Sequence, residues 1–238
     1  MDPRTCSIAP EIFARFPEFR RGLVIAHGVG NGPSSPGLGG LLREAEASVR
    51  ERFQGQEITA HPRIASWRAA FQALGIKPKD FRPSVEAMAR RALKDQQLPA
   101  INALVDIGNL LSLRHLVPMG GHAIDATQGS YILRPATGAE VFVPFGTDQS
   151  EHPDPGEIIF AEGEVVLTRR WSWRQANHSL TLPETTAIEY NVDALPPVTR
   201  AETEAICGEL AEMVGRFCGG RIRVGILEAG QPGLSMEP

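Results

Sequence analysis

Apolar residues recur at helical spacing in four stretches of the first half of the chain. Leu38, Leu41, Leu42, Ala45, Val49 and Phe53 predict an amphipathic helix over 38–53. Ile64, Trp67, Phe71 and Leu74 share one face of 62–74, and Val85, Met88, Ala89, Ala92 and Leu93 one face of 84–94. The other face of 84–94 carries Glu86, Arg90, Arg91 and Lys94. Residues 101–115 are mostly apolar and read as a buried helix. Ahead of these, a short helix over 9–16 leads into a strand over 22–26 and a glycine- and proline-rich loop over 27–36.

After Pro118 the apolar runs shorten and are separated by Gly, Pro and Asp, predicting strands over 131–134, 140–144, 157–160, 165–168 and 186–192. Residues 148–156 are a loop by composition. A helix returns over 202–217, with Thr199 and Glu202 spaced as a capping box, and a last strand covers 221–227. Helices first, then clustered strands, then helix and strand predict an α+β domain with helices packed around a sheet or sandwich. The expectation is a single domain over 1–238, with its core at about 7–228 and a disordered polar tail over 229–238.

Composition changes this picture little. At 238 residues, 42% hydrophobic and 22% charged, the chain can bury a core of ordinary size. No apolar run reaches the ~20 residues of a membrane span, and no secretory signal opens the chain, so the expected location is cytoplasmic. Three cysteines without a CxxC pair read as buried or free thiols rather than a disulfide framework.

Charge is more informative. The net charge is −4, yet between His61 and Lys94 eight basic residues face only Asp80 and Glu86. A local basic patch on an acidic protein suits one polyanion bound in one orientation; the alternative is a solvated helix face. Gly28, Gly30 and Gly32 follow an apolar strand as a dinucleotide-binding turn would, but Pro33 stands where the third glycine of GxGxxG belongs. The six histidines form no HxH or HExxH pair, and GxSxG is absent, so neither metal nor cofactor is expected.

The candidate chemistry lies between Phe71 and Asp125. Asn102, Asp106 and Asn109 share one face of an apolar helix, either tying it to a loop or facing a ligand. Gly120 and Gly121 then allow close backbone approach ahead of His122 and Asp125. Further on, Arg169, Arg170, Trp171 and Arg174 either stack on unpaired bases and phosphates or flank a strand with one buried face.

The run INALVDIGNLLSL with the following Pro118 and HAID resembles the B3/B4 editing domain of the phenylalanyl-tRNA synthetase beta chain, in which a VDxxN helix is paired with a Pro-x-His-Ala-Phe-Asp segment. Free-standing B3/B4 proteins are closer still. They share the Arg-Pro-Ser-x-Glu-Ala helix start at 82–87, the Pro-x-Gly-Gly turn at 118–121, the Glu-Gly-Glu hairpin at 162–164, the aromatic-basic segment at 169–174 and Glu-Thr-Thr at 184–186.

The resemblance covers roughly residues 7–228. It implies helices flanking a β-sandwich of unusual topology. It also implies an aminoacyl-tRNA deacylase acting in trans, without metal or cofactor and with no DNA or membrane partner. Its site would comprise His122, Asn109 and Glu189, with Asn102, Asp106, Gly120, Gly121, Gly163 and Asn191 around the substrate. Glu189 and Asn191 are alternatives for holding the amino group. The tRNA would lie on Arg82, Arg90, Arg91, Lys94, Arg169, Arg170, Trp171 and Arg174. Gly108 replaces the family's Thr, and the Pro118–His122 spacing is longer, so the implied pocket is not the one that rejects tyrosine. An acidic pocket around Glu189 points to a cationic amino acid or an analogue such as canavanine. A tRNA-binding module without catalysis and a small-molecule hydrolase or ligand-binding protein are the other readings.

Overall fold

The first helices form where capping and proline placement favour them. The computed structural model describes residues 3–94 and 96–238. A short strand β1 (Thr5–Ile8) and helix α1 (Pro10–Arg15) lead into β2 (Arg20–His27). Helix α2 (Pro36–Arg52) starts with Pro36 in its first turn and Ser35 accepting from the Leu38 N–H. Helices α3 (Pro62–Ala73), α4 (Ser84–Leu93) and α5 (Ala103–His115) follow, α5 capped by Asn102.

Six strands and a helix come next: β3 (Met119–Ala123), β4 (Tyr131–Pro135), β5 (Ile158–Glu162), β6 (Val165–Arg169), β7 (Arg174–Gln175), β8 (Ala187–Ala194) and α6 (Arg200–Phe217). After α6 come β9 (Arg221–Leu227) and β10 (Gly233–Ser235). The Thr199–Glu202 capping box of α6 is present with both of its hydrogen bonds.

The strands form two sheets, a six-stranded one in the order β10-β1-β4-β5-β6-β7 and a four-stranded one in the order β3-β8-β2-β9. Strands alternate their side chains, so each face of the four-stranded sheet meets a different partner. Val24, Ala26, Ile188, Tyr190 and Val192 pack against α2, α4, α5 and α6. Leu23, Ile25 and Ala187 instead meet Tyr131, Leu133, Phe160, Leu167 and Trp171 of the opposite sheet and its flanking loop. The mixed α/β sandwich flanked by helices is therefore the architecture expected. Helix α6 lies so close to β2 that a Cβ on Gly22 would collide with Cys207 Sγ. Cys6, Cys207 and Cys218 are buried free thiols. Among the described residues no helix is long and apolar enough to cross a membrane.

Two expectations need correction. Residues 140–144 make no strand; Val141, Phe142 and Pro144 each form a single bridge to a different partner. Pro144 has no N–H with which to continue a ladder. The end of the chain is not a disordered tail, since β10 pairs antiparallel with β1 in the register Thr5↔Ser235 and buries Met236.

Candidate functional site

One face of β8 carries Glu189, Asn191 and Asp193, all buried between the sheets. The antiparallel register sets His122 of β3 opposite Glu189 and Gly120 opposite Asn191, while Arg21 of β2 stands opposite Asp193. Partners in register share a face, so the four-stranded sheet holds a polar group inside the sandwich. Arg21 and Asp193 form a two-bonded ion pair at 2.7 and 2.9 Å, each 1% exposed.

His122 is fixed from both ring nitrogens. Nδ1 lies 2.7 Å from the Ser179 hydroxyl and Nε2 lies 3.4 Å from the Thr168 hydroxyl of β6, while the ring packs edge-on to Phe160. Burial first, and then the charge of Arg21, push the imidazole down to about 3, so it is neutral at physiological pH. Glu189 moves the other way. Burial raises its carboxyl to about 8 against the pull of Arg21 and Asn191, and neither oxygen finds a partner at full hydrogen-bond geometry.

The raised carboxyl has a signature in stability. The folded protein keeps the Glu189 proton that the unfolded chain releases near pH 4.5, so this group makes stability fall between about pH 4.5 and 8. The slope is about 1.4 kcal/mol per pH unit within that window. Glu189→Gln is expected to remove that decline. Denaturant unfolding of both proteins at pH 5 and pH 8 checks this, and identical slopes would show that Glu189 ionises normally.

A cavity of about 70 Å³ opens beside this group, lined by Gly120, Thr168, Trp171, Ser172, Trp173, Arg174, Gln175 and Asn191. Asn191, not Glu189, reaches it. Gly120 lets the Asn191 amide lie close, because a Cβ would stand 3.2 Å from it and press it aside. Thr168 both lines the cavity and touches His122. Gln175 lines it too and donates to the Gly121 carbonyl at 2.9 Å.

Next to it lies a cleft of about 590 Å³ lined by Arg82, Arg90, Arg91 and Lys94, with Asp80 and Trp173. Trp173 is thus the common wall of cleft and cavity. Helix α4 is held in place by fully buried Glu86, which accepts from Arg68 at 2.9 Å and from Arg90 at 2.8 Å. The Ser84 N–H donates to the Ser172 carbonyl, docking the helix start on the cavity wall.

Other expected site residues lie elsewhere. Asp106 and Asn109 are on α5 and Asn102 is its N-cap, across the four-stranded sheet from His122. Asn102 caps α5 and donates to the Thr181 carbonyl; Asp106 accepts from Ser34 and the Ile101 N–H. That face ties the helix to the loops around it, and Asn109 is half-buried outside the cavity lining. Gly121 faces the helices, against Ile188 and Tyr190. Gly163, at φ +56, makes the exposed β5–β6 turn.

The aromatic-basic segment is also largely internal. Arg169 is 5% exposed and committed to Glu157 and Glu151. Trp171 is buried against Phe16, Phe19 and Trp67, so neither Arg169 nor Trp171 is presented to a nucleic acid. The Arg170 guanidinium stacks 3.8 Å over Phe81 and 4.8 Å from Trp173. Of the three arginines only Arg174 reaches the cavity, which Trp171 also lines. Thr168, Ser179 and Gln175 carried no signal in the sequence beyond strand-forming or loop character.

Two of the recognised segments meet in space: Asp125 accepts from the Thr186 N–H and hydroxyl and from the Ala187 N–H. The B3/4 domain model matches residues 66–219. No curated protein matches the chain. Among solved structures, the chain is similar to an N-terminal fragment of the phenylalanyl-tRNA synthetase beta-subunit from Pyrococcus horikoshii, at 10% identity and a TM-score of 0.47. The similarity covers 93% of this chain and 51% of that one, so the chain spans about half the length of the fragment.

Proposed function

This chain belongs to the B3/4 domain family, and from that premise we propose that it is an aminoacyl-tRNA deacylase, releasing a mischarged amino acid from tRNA in trans. The observation that carries the reading is the shared wall at Trp173. A basic cleft suited to phosphates adjoins a small polar cavity suited to an ester and a water.

In this reading, Arg82, Arg90, Arg91 and Lys94 hold the backbone of the acceptor end. The terminal ribose sits at the cavity mouth with its ester carbonyl inside. Thr168, backed by His122 and Ser179, orients the attacking water, and the Asn191 amide faces the developing oxyanion or the substrate amino group. Water adds to the carbonyl, the bond to the ribose oxygen breaks, and the water proton passes to that oxygen. An aminoacyl ester is already reactive, so positioning suffices and a strong base is unnecessary. A neutral His122 suits that role.

The test is release of amino acid from a panel of correctly and incorrectly charged tRNAs. Canavanine and ordinary cationic groups belong in the panel as a direct test of a cationic substrate, since Glu189 keeps its proton near neutral pH and does not reach the cavity. Thr168→Val is expected to lower kcat about tenfold or more with KM nearly unchanged, whereas Asn109→Ala changes little. Unchanged turnover in Thr168→Val would remove that residue from the mechanism.

A tRNA-binding module without catalysis is the second reading. The weak basicity of His122 and the small cavity favour it. Tight tRNA binding with no release from any member of the panel would establish it.

A further inference from the structure

All the aromatic side chains lie within the described residues, and only Phe145 is exposed, at 62%. Leaving a phenyl ring in water forfeits burial, and a floppy loop would account for it trivially. Phe145 is not on a floppy loop. The Thr147 N–H donates to the Pro144 carbonyl at 3.2 Å, closing a turn whose third residue, Gly146, has φ +83. Asn177 pins the turn from both sides, its amide donating to the Thr147 carbonyl and its backbone N–H to the Val143 carbonyl. A hydrogen-bonded turn thus holds one aromatic ring out in solvent.

The turn is bonded to two residues of the cavity wall. The Phe145 N–H donates to the Gln175 carbonyl at 3.2 Å, and Arg174 donates to the Phe145 carbonyl at 3.4 Å. Gln175 and Arg174 both line the cavity. The basic cleft thus adjoins the cavity through Trp173, and Phe145 adjoins it through Arg174 and Gln175. In a terminal nucleotide both the phosphate and the base likewise adjoin the ribose.

We infer that Phe145 is a stacking platform for the unpaired terminal base of an RNA strand whose backbone lies in the basic cleft, an assignment that rests on the proposed function. Aromatic stacking is tolerant of base identity, and Arg174 beside the ring adds a cation near the stacked base.

The experiment is equilibrium binding of two short RNA oligonucleotides identical except at the 3′ end, one finishing in adenosine and the other in an abasic ribose. The wild-type protein is expected to prefer the base-bearing strand by roughly five- to 100-fold. Phe145→Ala should abolish the preference and Phe145→Trp should retain it. A preference that survives in Phe145→Ala overturns the assignment, as does equal binding of both strands by the wild type, and either result leaves the RNA-binding reading standing. Failure of the wild type to bind either strand overturns both.

Discussion

A protein carrying Arg82→Glu, Arg91→Glu and Lys94→Glu together is expected to bind tRNA roughly 10²- to 10³-fold more weakly at ~0.1 M salt. These three side chains line the large cleft and are exposed, and none has an ion-pair partner among the described residues. Their charge is therefore available to a ligand. Arg90 is left unchanged because it neutralises buried Glu86, and losing it would confound binding with stability. In the proposed function, reversal removes three phosphate contacts and adds repulsion. The slope of log affinity against log salt should become shallower by about 2 to 3. Melting temperature should hardly move, since exposed pairs contribute little to stability. Wild-type affinity with an unchanged slope would mean that α4 merely presents a solvated face and that RNA binds elsewhere.

The helices of this fold were legible because their signals are local. Apolar spacing within one segment, Ser35, Asn102 and the Thr199–Glu202 pair at helix starts, and short β-branched runs carry the information in fewer than twenty residues. Strand β3 was not legible. Gly120 and Gly121 have poor strand propensity and read as a turn, and pairing with β8, some seventy residues away, makes them a strand. The site has the same character. His122, Thr168, Ser179 and Asn191 meet through sheet register and sandwich packing, so no local motif contains them. The segment RRWSWR misled for the complementary reason. Glu151 and Glu157, placed upstream in an acidic loop, consume Arg169, and the aromatic core takes Trp171. Of the residues read as one helix face, Asn102 is the N-cap rather than part of the helix, and it and Asp106 bond to loops on the helical side of the sheet.

Asp193→Ala is expected to cost about 3 to 5 kcal/mol, the largest stability effect of any single change considered, because it strands a guanidinium inside the sandwich. Arg21 and Asp193 are each 1% exposed, bonded twice, and the Arg21 guanidinium lies 4.5 Å over the Phe160 ring of the facing sheet. The guanidinium is sealed from water between the sheets. For a chain of this size the loss corresponds to roughly 10 °C in Tm. Replacing both partners, as in Arg21→Met with Asp193→Leu, should recover most of the loss, since an apolar pair of similar volume leaves no charge to desolvate. A single variant costing under about 1 kcal/mol would show that water reaches Arg21. The pair also sets the electrostatics of the site. The Arg21 charge holds both His122 and Glu189 lower than burial alone would leave them. In the double variant Glu189 therefore retains its proton to higher pH, and the pH range over which stability declines should extend upward. Recovery of stability together with that shift would separate the two roles of the pair, one in holding the sheets and one in tuning the groups beside the cavity.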